Sequence, residues 1–163
     1  METSKPIIRT STLNDKLSVK DAHIRSIHQI CSKDYTQKQI EAWAQPPYSD
    51  DVWERAVNRQ LHQVVELDGK IEGFCHSTVH EDGTGEILGL YLTPEVAGLG
   101  VGKKMVQQAL EYINTFKPRK IVVESTITAK GFYERMGFKL VHEILDHKIR
   151  GEIIQCFRME KMP

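Results

Sequence analysis

Apolar residues along NDKLSVKDAHIRSIHQICSKDY fall at Leu17, Val19, Ile24, Ile27, Ile30 and Cys31. The later ones keep helical spacing, so a helix is predicted there, with Asp21 ahead of Ala22 as its start. Before it, PIIRTST (6–12) reads as a short first strand. TQKQIEAWA opens on Thr36, a good N-cap, and stops before Pro46-Pro47, which no helix continues through. SDDVWERAVNRQ opens on Ser49 with an acidic first turn and predicts a third helix. The period then changes to two. HQVVELDGKIEGFCHSTV (62–79) divides at Asp68-Gly69, a hairpin signature, and EILGLYLT (86–93) is a third strand of this run. GVGKKMVQQALEYINTF (100–116) carries Val101, Met105, Val106, Ala109, Leu110, Ile113 and Phe116 on one helical face, and Pro118 ends it. KIVVES (120–125) is β-branched and short, as a fully buried strand is. TAKGFYERM (128–136) is a short helix closed by Gly137. FKLVHEILDHKI and EIIQCFRMEK predict a long closing hairpin that turns at Arg150-Gly151. The fold class expected is mixed α/β, with antiparallel hairpins around one strand–helix–strand crossover.

Between the last strand of the alternating run and the longest amphipathic helix lies PEVAGLGVGKK, with glycines at 98, 100 and 102. Counting back from Gly102-Lys103, a nucleotide P-loop would need Gly at Ala97 and Ser or Thr at Lys104, so that motif fails twice. The dinucleotide fingerprint starting at Gly98 would need Gly at Lys103, and fails too. What is left is a turn whose successive N–H groups converge on an anion, with glycines that admit positive φ and close approach. The helix that follows adds its positive end. Lys103 and Lys104 sit where a first helical turn prefers carboxylates, a conflict that an anionic ligand would relieve.

Composition narrows the function classes. The 163 residues suit one domain with a real core, and 40% are hydrophobic. Lys plus Arg and Asp plus Glu both total 22, and the isoelectric point is near 7.1, so nothing calls for a nucleic-acid partner. The N-terminus lacks an apolar signal core and no run approaches a membrane span, which leads to the expectation of a cytoplasmic protein with no membrane partner. Cys31, Cys75 and Cys156 are too few and too far apart for a disulfide framework or a metal knuckle, and no metal is expected. Cys75 reads as a small buried residue. It cannot pair simply with His76, because neighbours on a strand point to opposite faces.

Two segments together resemble one family. GLYLTPEVAGLGVGKKMVQQAL is similar to the acetyl-CoA-binding segment of the GCN5-related N-acetyltransferase (GNAT) family, Gln/Arg-x-x-Gly-x-Gly/Ala, with Ala97, Gly100 and Gly102 at its marked positions and Tyr91-Leu92-Thr93-Pro94 ahead of it. VESTITAKGFYERMGFKLV (123–141) resembles that family's Asn-x-x-Ala-x-x-Phe-Tyr-x-x-x-Gly-Phe segment, with Ala129, Phe132, Tyr133, Gly137 and Phe138 in place. Ala97 stands where Gln or Arg is usual, and Thr126 where Asn is usual. Ala97 loses a side-chain donor and Thr126 keeps only a hydroxyl, while the main-chain anion site is left. The resemblance covers most of the chain. It implies one acyl-CoA N-acyltransferase domain over 1–163, with a mostly antiparallel sheet of about seven strands and flanking helices. It also implies acetyl-CoA as acyl donor and a small-molecule, peptide or protein amine as acceptor. Sheet edges leave a homodimer open.

The resemblance also distributes roles. The backbone of Leu90, Tyr91 and Leu92 would pair with the pantetheine arm, eased by a bend at Gly89. The N–H groups of Gly98, Leu99, Gly100, Val101, Gly102 and Lys103 would hold the pyrophosphate. Ala97, Thr126, Ala129 and Phe132 complete the cofactor-binding positions, although Phe132 beside Met136 also reads as core. Tyr133 is the candidate acid, because an ordinary phenol is protonated at neutral pH and can donate to a departing thiolate. Glu86 is the candidate base. It is expected on the face of Leu88 and Leu90 unless a bulge at Gly89 shifts the register. A solvated strand-end glutamate reads equally well there, with Glu124 and His80 in reserve. Trp43, Tyr48 and Trp53 could line the acceptor pocket, with core packing the competing role for the tryptophans. A non-catalytic acyl-CoA sensor on the same fold is the alternative function.

Overall fold

The computed structural model describes residues 4–163. Nine strands and five α-helices follow in the order β1 (Ile7–Thr10), α1 (Lys16–Gln29), α2 (Gln37–Trp43), α3 (Asp50–Arg59), β2 (Leu61–Leu67), β3 (Lys70–Val79), β4 (Thr84–Leu92), α4 (Val101–Asn114), β5 (Lys120–Thr126), α5 (Lys130–Arg135), β6 (Lys139–Ile144), β7 (Lys148–Ile149), β8 (Glu152–Ile153) and β9 (Cys156–Lys161). Seven strands form one sheet in the order β1-β2-β3-β4-β5-β9-β6, and β4 with β5 is its parallel pair. The mixed, mostly antiparallel architecture is the one expected.

Local chemistry sets most boundaries. Thr36 and Gln39 form a reciprocal capping box at α2, and Ser49 caps α3. Asp68 and Gly69, both at positive φ, make the tight turn between β2 and β3. Two expectations need correction. α1 begins at Lys16, not near Asp21, because a 3-10 turn over Leu13–Asp15 feeds it directly and Asp15 is held by Arg9 at 2.7 Å. The closing hairpin has its expected turn and antiparallel order, but its strand pairing is interrupted over 145–147 and 154–155. β6 pairs with β9, β9 is inserted between β5 and β6, and the Arg150-Gly151 turn belongs to a separate two-stranded ribbon, β7 with β8.

Helix α4 packs one side of the sheet through Val101, Met105, Val106, Ala109 and Ile113, against Cys75, Ile87, Ile121 and Met159. Helices α1 to α3 cover the other side, where Val19, Ala22 and Trp53 meet Val64, Ile71 and Phe74. Between α1 and the sheet, Arg25 pairs with the buried Glu72 at 2.7 Å, and the Thr93 hydroxyl donates to the same carboxylate. The Thr93 N–H donates to the Glu72 carbonyl, and the Ser26 hydroxyl to the Leu92 carbonyl at 2.7 Å. This cluster holds the end of β4, where the glycine turn begins. Replacing Glu72→Ala leaves Arg25 and Thr93 without their acceptor. Because Arg25 is partly solvated, the expected loss of stability is about 2–3 kcal/mol, below the full range for a broken buried pair. Chemical denaturation of both proteins checks it.

Among the described residues, no helix is long and apolar enough to cross a membrane.

Candidate active site

The sheet is cut open beside its parallel pair. β4 and β5 pair from Thr84–Lys120 only as far as Ile87–Val123. Beyond that β4 continues to Leu92 alongside β3, while β5 continues to Thr126 alongside β9. The edge of β4 from Leu88 to Leu92 that faces β5 is therefore unpaired by a strand. A backbone edge of this kind can accept an extended, amide-bearing ligand as one more strand.

A bulge marks the place where the strands part. His76 is opposite Gly89 and Ser77 is opposite Ile87, so Leu88 is the extra residue. Its effect on side-chain direction is decisive. Residues opposite one another in an antiparallel pair share a face. Glu86 is opposite Thr78 and Tyr91 opposite Phe74, whereas Ile87 and Leu90 are opposite Ser77 and Cys75 on the α4 side. Glu86 thus lies on the face of His76 and Tyr91, not on the face of Leu90 as unbroken alternation predicts. Its carboxylate meets His80 Nε2 at 2.7 Å and its side chain is 18% exposed. Glu124 is on the next strand, 3.9 Å from Arg158.

The glycine turn has the form of an anion site. Val96 is buried as an apolar peg, and Gly98 and Gly100 hold φ of +82° and +81°. A Cβ at either would meet nothing within 4 Å, so positive φ is what selects glycine there. Gly102 differs: a Cβ would lie 3.2 Å from Leu92 Cδ1 and 3.7 Å from Phe132. The Ala97 N–H donates to the Thr93 carbonyl and the Leu99 N–H to the Val96 carbonyl, so both are spent inside the turn. Among the described residues, no backbone carbonyl accepts from the N–H groups of Gly98, Gly100, Val101, Gly102 or Lys103. Gly100 is the N-cap of α4 and supplies no side-chain cap, and the first turn carries no carboxylate. Five free donors at a positive helix end fit a pyrophosphate well.

Thr126 spends its hydroxyl accepting from the Ala129 N–H at 3.0 Å, which starts the turn into α5. Tyr133 is deeper than its pattern suggests, at 3% exposure. It packs in the same cluster as Cys75 and Val101, edge-on to Phe132 and Phe138. Burial pushes its phenol well above the ordinary value, so the proton is held throughout the physiological range. Phe132 is the half-buried ring of the two and lies toward Gly102. Cys75 is fully buried, with its thiol pushed up to about 12 by burial.

On the other side of β4 is an open cleft of about 500 Å³. Leu88, Gly89 and Tyr91 form its floor, Trp43 and Tyr48 stand in its wall, and Ile149 with Arg150 reach it from the β7–β8 ribbon. Trp53 is not part of it and is packed in the core with Val64 and Phe74. Behind the wall runs a chain of hydrogen bonds that sequence reasoning did not anticipate. With Gln60 Oε1 accepting, His76 Nε2–H donates at 2.6 Å and the Tyr48 hydroxyl donates to His76 Nδ1 at 3.1 Å. His62 Nε2–H then donates to the Tyr48 oxygen at 3.1 Å, and the Ser11 hydroxyl donates to His62 Nδ1 at 2.6 Å. The pattern closes with both imidazoles neutral. Burial agrees, lowering His76 to about 4 and His62, with the neighbouring His76 adding to the effect, to about 3. His62 and His76 lie on two strands of a predicted hairpin, but the register set by the Asp68-Gly69 turn would put His62 opposite Cys75; a bulge between Val65 and Glu66 shifts it by one and makes the histidines partners.

Comparisons with known proteins identify the family and agree with the fold. A family described as an acetyltransferase (GNAT) domain matches residues 31–162. The uncharacterized N-acetyltransferase YafP of Escherichia coli (strain K12) is 27% identical over 120 residues, which span 74% of this chain and 72% of that protein. Among solved structures, a GCN5-related N-acetyltransferase from Rhodopseudomonas palustris superposes with a TM-score of 0.84 at 23% identity, covering 100% of this chain and 99% of the other. PaiA N-acetyltransferase from Thermoplasma acidophilum, solved in complex with coenzyme A, superposes at 0.76 with 21% identity over 98% and 99% of the two chains. At these identities the superpositions speak for the fold alone, and the sequence match carries the rest. The chain is an acyltransferase and belongs to the GCN5-related N-acetyltransferase family.

Proposed function

We propose that the protein transfers an acetyl group from acetyl-CoA to a primary amine by direct attack, without an acyl-enzyme. The observation that carries this reading is the pairing of two features: free N–H groups at Gly98 and Gly100 to Lys103, and the open β4 edge that leads away from them. The pyrophosphate would sit on the turn. The pantetheine arm would run along the backbone of Leu90, Tyr91 and Leu92, and the thioester would reach the bulge at Leu88. There the cleft on the other side of β4 delivers the amine. That PaiA, of the same fold, was solved with coenzyme A supports the choice of donor.

The chemistry balances within the two substrates. The amine nitrogen bonds to the thioester carbonyl carbon, the C–S bond breaks, one proton leaves nitrogen and one is taken up by sulfur. Tyr133 is assigned as the acid that protonates the thiolate. Glu86, on the cleft face and bonded to His80, is assigned as the group through which the amine proton leaves, by way of a water. The orienting effect of fixing both substrates supplies much of the rate.

The test is thermal stability in titrations with acetyl-CoA, CoA and ATP, followed by release of free CoA thiol in the presence of amines. Both CoA forms should raise the melting temperature in a saturable way, by the equivalent of about 2.7 kcal/mol at one hundred times Kd. ATP should not. Gly100→Val should weaken CoA binding, because the residue must hold positive φ while its N–H faces the anion. Equal shifts with ATP and CoA, or none with CoA, would reject the reading.

A further inference from the structure

The cleft beside the bulge has a definite chemical character. Arg150 is the one charged residue among those that line it. Its guanidinium is exposed and donates through Nη1 to the Ala42 carbonyl at 2.9 Å, which ties the β7–β8 ribbon to α2 at the cleft mouth. The Gln39 side chain makes a second tie, donating to the Ile153 carbonyl at 2.8 Å. The remaining donors of Arg150 have no protein partner among the described residues.

Every other polar group of the wall is uncharged. His23 and His76 are each held neutral near neutral pH, with values lowered to about 4 by burial. His23 Nδ1 is buried without a hydrogen-bond partner. Tyr48 gives its proton to one histidine and accepts from another, leaving one lone pair uncommitted. The aromatic rings are flat walls whose faces and edges meet one another: Tyr91 with His23 at 4.6 Å and with Trp43 at 6.1 Å, both edge to face. The rings are thereby engaged with one another edge to face.

Among the described residues, no carboxylate lines the cleft itself, Glu86 standing beyond its lining on the same face. An ammonium within it would lose hydration without an ion-pair partner, so the site favours the neutral amine, the form that can attack, once its proton has left toward Glu86. A second ammonium on the same molecule would bear the same cost and be repelled by Arg150. A negative group at the mouth would instead complete the open guanidinium. On the acetyltransferase reading, we infer that the acceptor is a monoamine on a flat, apolar or aromatic body, with an anionic group at the end remote from the amine. The amine end lies toward Gly89 and the anion toward Arg150. Polyamines and lysine-rich peptides are selected against.

A matched pair of acceptors tests this. para-(Aminomethyl)benzoate and benzylamine share ring and amine and differ in the carboxylate; spermidine is the polycationic comparison. Release of CoA thiol gives kcat/KM for each, and quenching of tryptophan fluorescence in the presence of CoA gives acceptor binding without turnover. The carboxylate should raise kcat/KM by about tenfold over benzylamine, the size expected of one partly solvated charge-assisted contact. Arg150→Gln should abolish that ratio and Arg150→Glu should reverse it, whatever either change does to the absolute turnover of benzylamine. Circular dichroism and the CoA-induced thermal shift show that both variants fold. Equal kcat/KM for the two aromatic amines, a preference unmoved in Arg150→Gln, or a preference for spermidine would overturn the inference. If no amine turned over, fluorescence would decide: binding of the carboxylate ligand that depends on Arg150 supports the cleft assignment, and no binding overturns it. Those outcomes are separate from the failure of acetyl-CoA to bind, which strikes the acetyltransferase reading itself.

Discussion

Tyr133→Phe is expected to lower kcat by roughly a hundredfold or more, the usual scale for losing a positioned general acid, while the Kd for CoA changes little. The separation follows from where the residue lies. Its ring is packed among Phe132, Phe138 and the α4 core, and phenylalanine keeps that packing. The free N–H groups of the glycine turn are on a different segment and are untouched by the change. Only the phenolic proton disappears. The raised pKa sharpens the expectation, since a phenol that stays protonated can serve as donor at every pH where the protein is folded. The alkaline limb of the kcat profile near neutral pH should therefore not belong to Tyr133. Stopped thiol release together with isothermal titration of CoA measures both halves. A variant that keeps native turnover would move the acid role elsewhere and leave Tyr133 as a packing residue.

The second large effect is acid sensitivity. His23, His62 and His76 are 5%, 2% and 5% exposed, and all three are held below their ordinary value near 6.5. The unfolded chain binds protons at these sites as pH falls through 6.5, and the folded protein does not until about 4. Their contribution is therefore fully present above 6.5 and is lost as pH falls from there toward 4. At about pH 5.5 each histidine costs on the order of 1 kcal/mol of stability relative to pH 8, or a few kcal/mol for the three. That is a large share of an ordinary domain's stability. Urea denaturation at the two pH values measures it. His23→Gln should flatten the curve by about one third, whatever its effect at pH 8. A protein equally stable at both would mean that the imidazoles are charged or solvated in solution.

How much of this was legible beforehand differs from one element to another. The capped helices α2 and α3, the turn at Asp68-Gly69 and the amphipathic α4 follow from local rules, because the residues that stop or start them are their own neighbours in the chain. The anion-binding turn is local in the same sense: positive φ at Gly98 and Gly100, and free N–H groups at a helix start, are properties of a few consecutive residues. The sequence also determined family and acyl-transfer class, since two motifs at the proper separation are far more specific than either alone.

Tertiary structure decided the rest. The bulge at Leu88 depends on pairing with β3, and one unmatched residue moved Glu86 to the opposite face from the one alternation assigns. α1 starts early because Arg9, from β1, holds Asp15. β9 enters between β5 and β6 because an inner strand needs partners on both edges, a fact about the sheet and not about the hairpin. The neutral wall of the acceptor cleft is the furthest from local prediction. His62, His76, Tyr48, Gln60 and Ser11 come from four separate segments, and their charge is set by burial and by one another's protons. Residue type alone left His62 and His76 free to carry charge; only the fold, by removing water from both and giving each a hydrogen-bond partner at either nitrogen, holds them neutral behind the cleft wall.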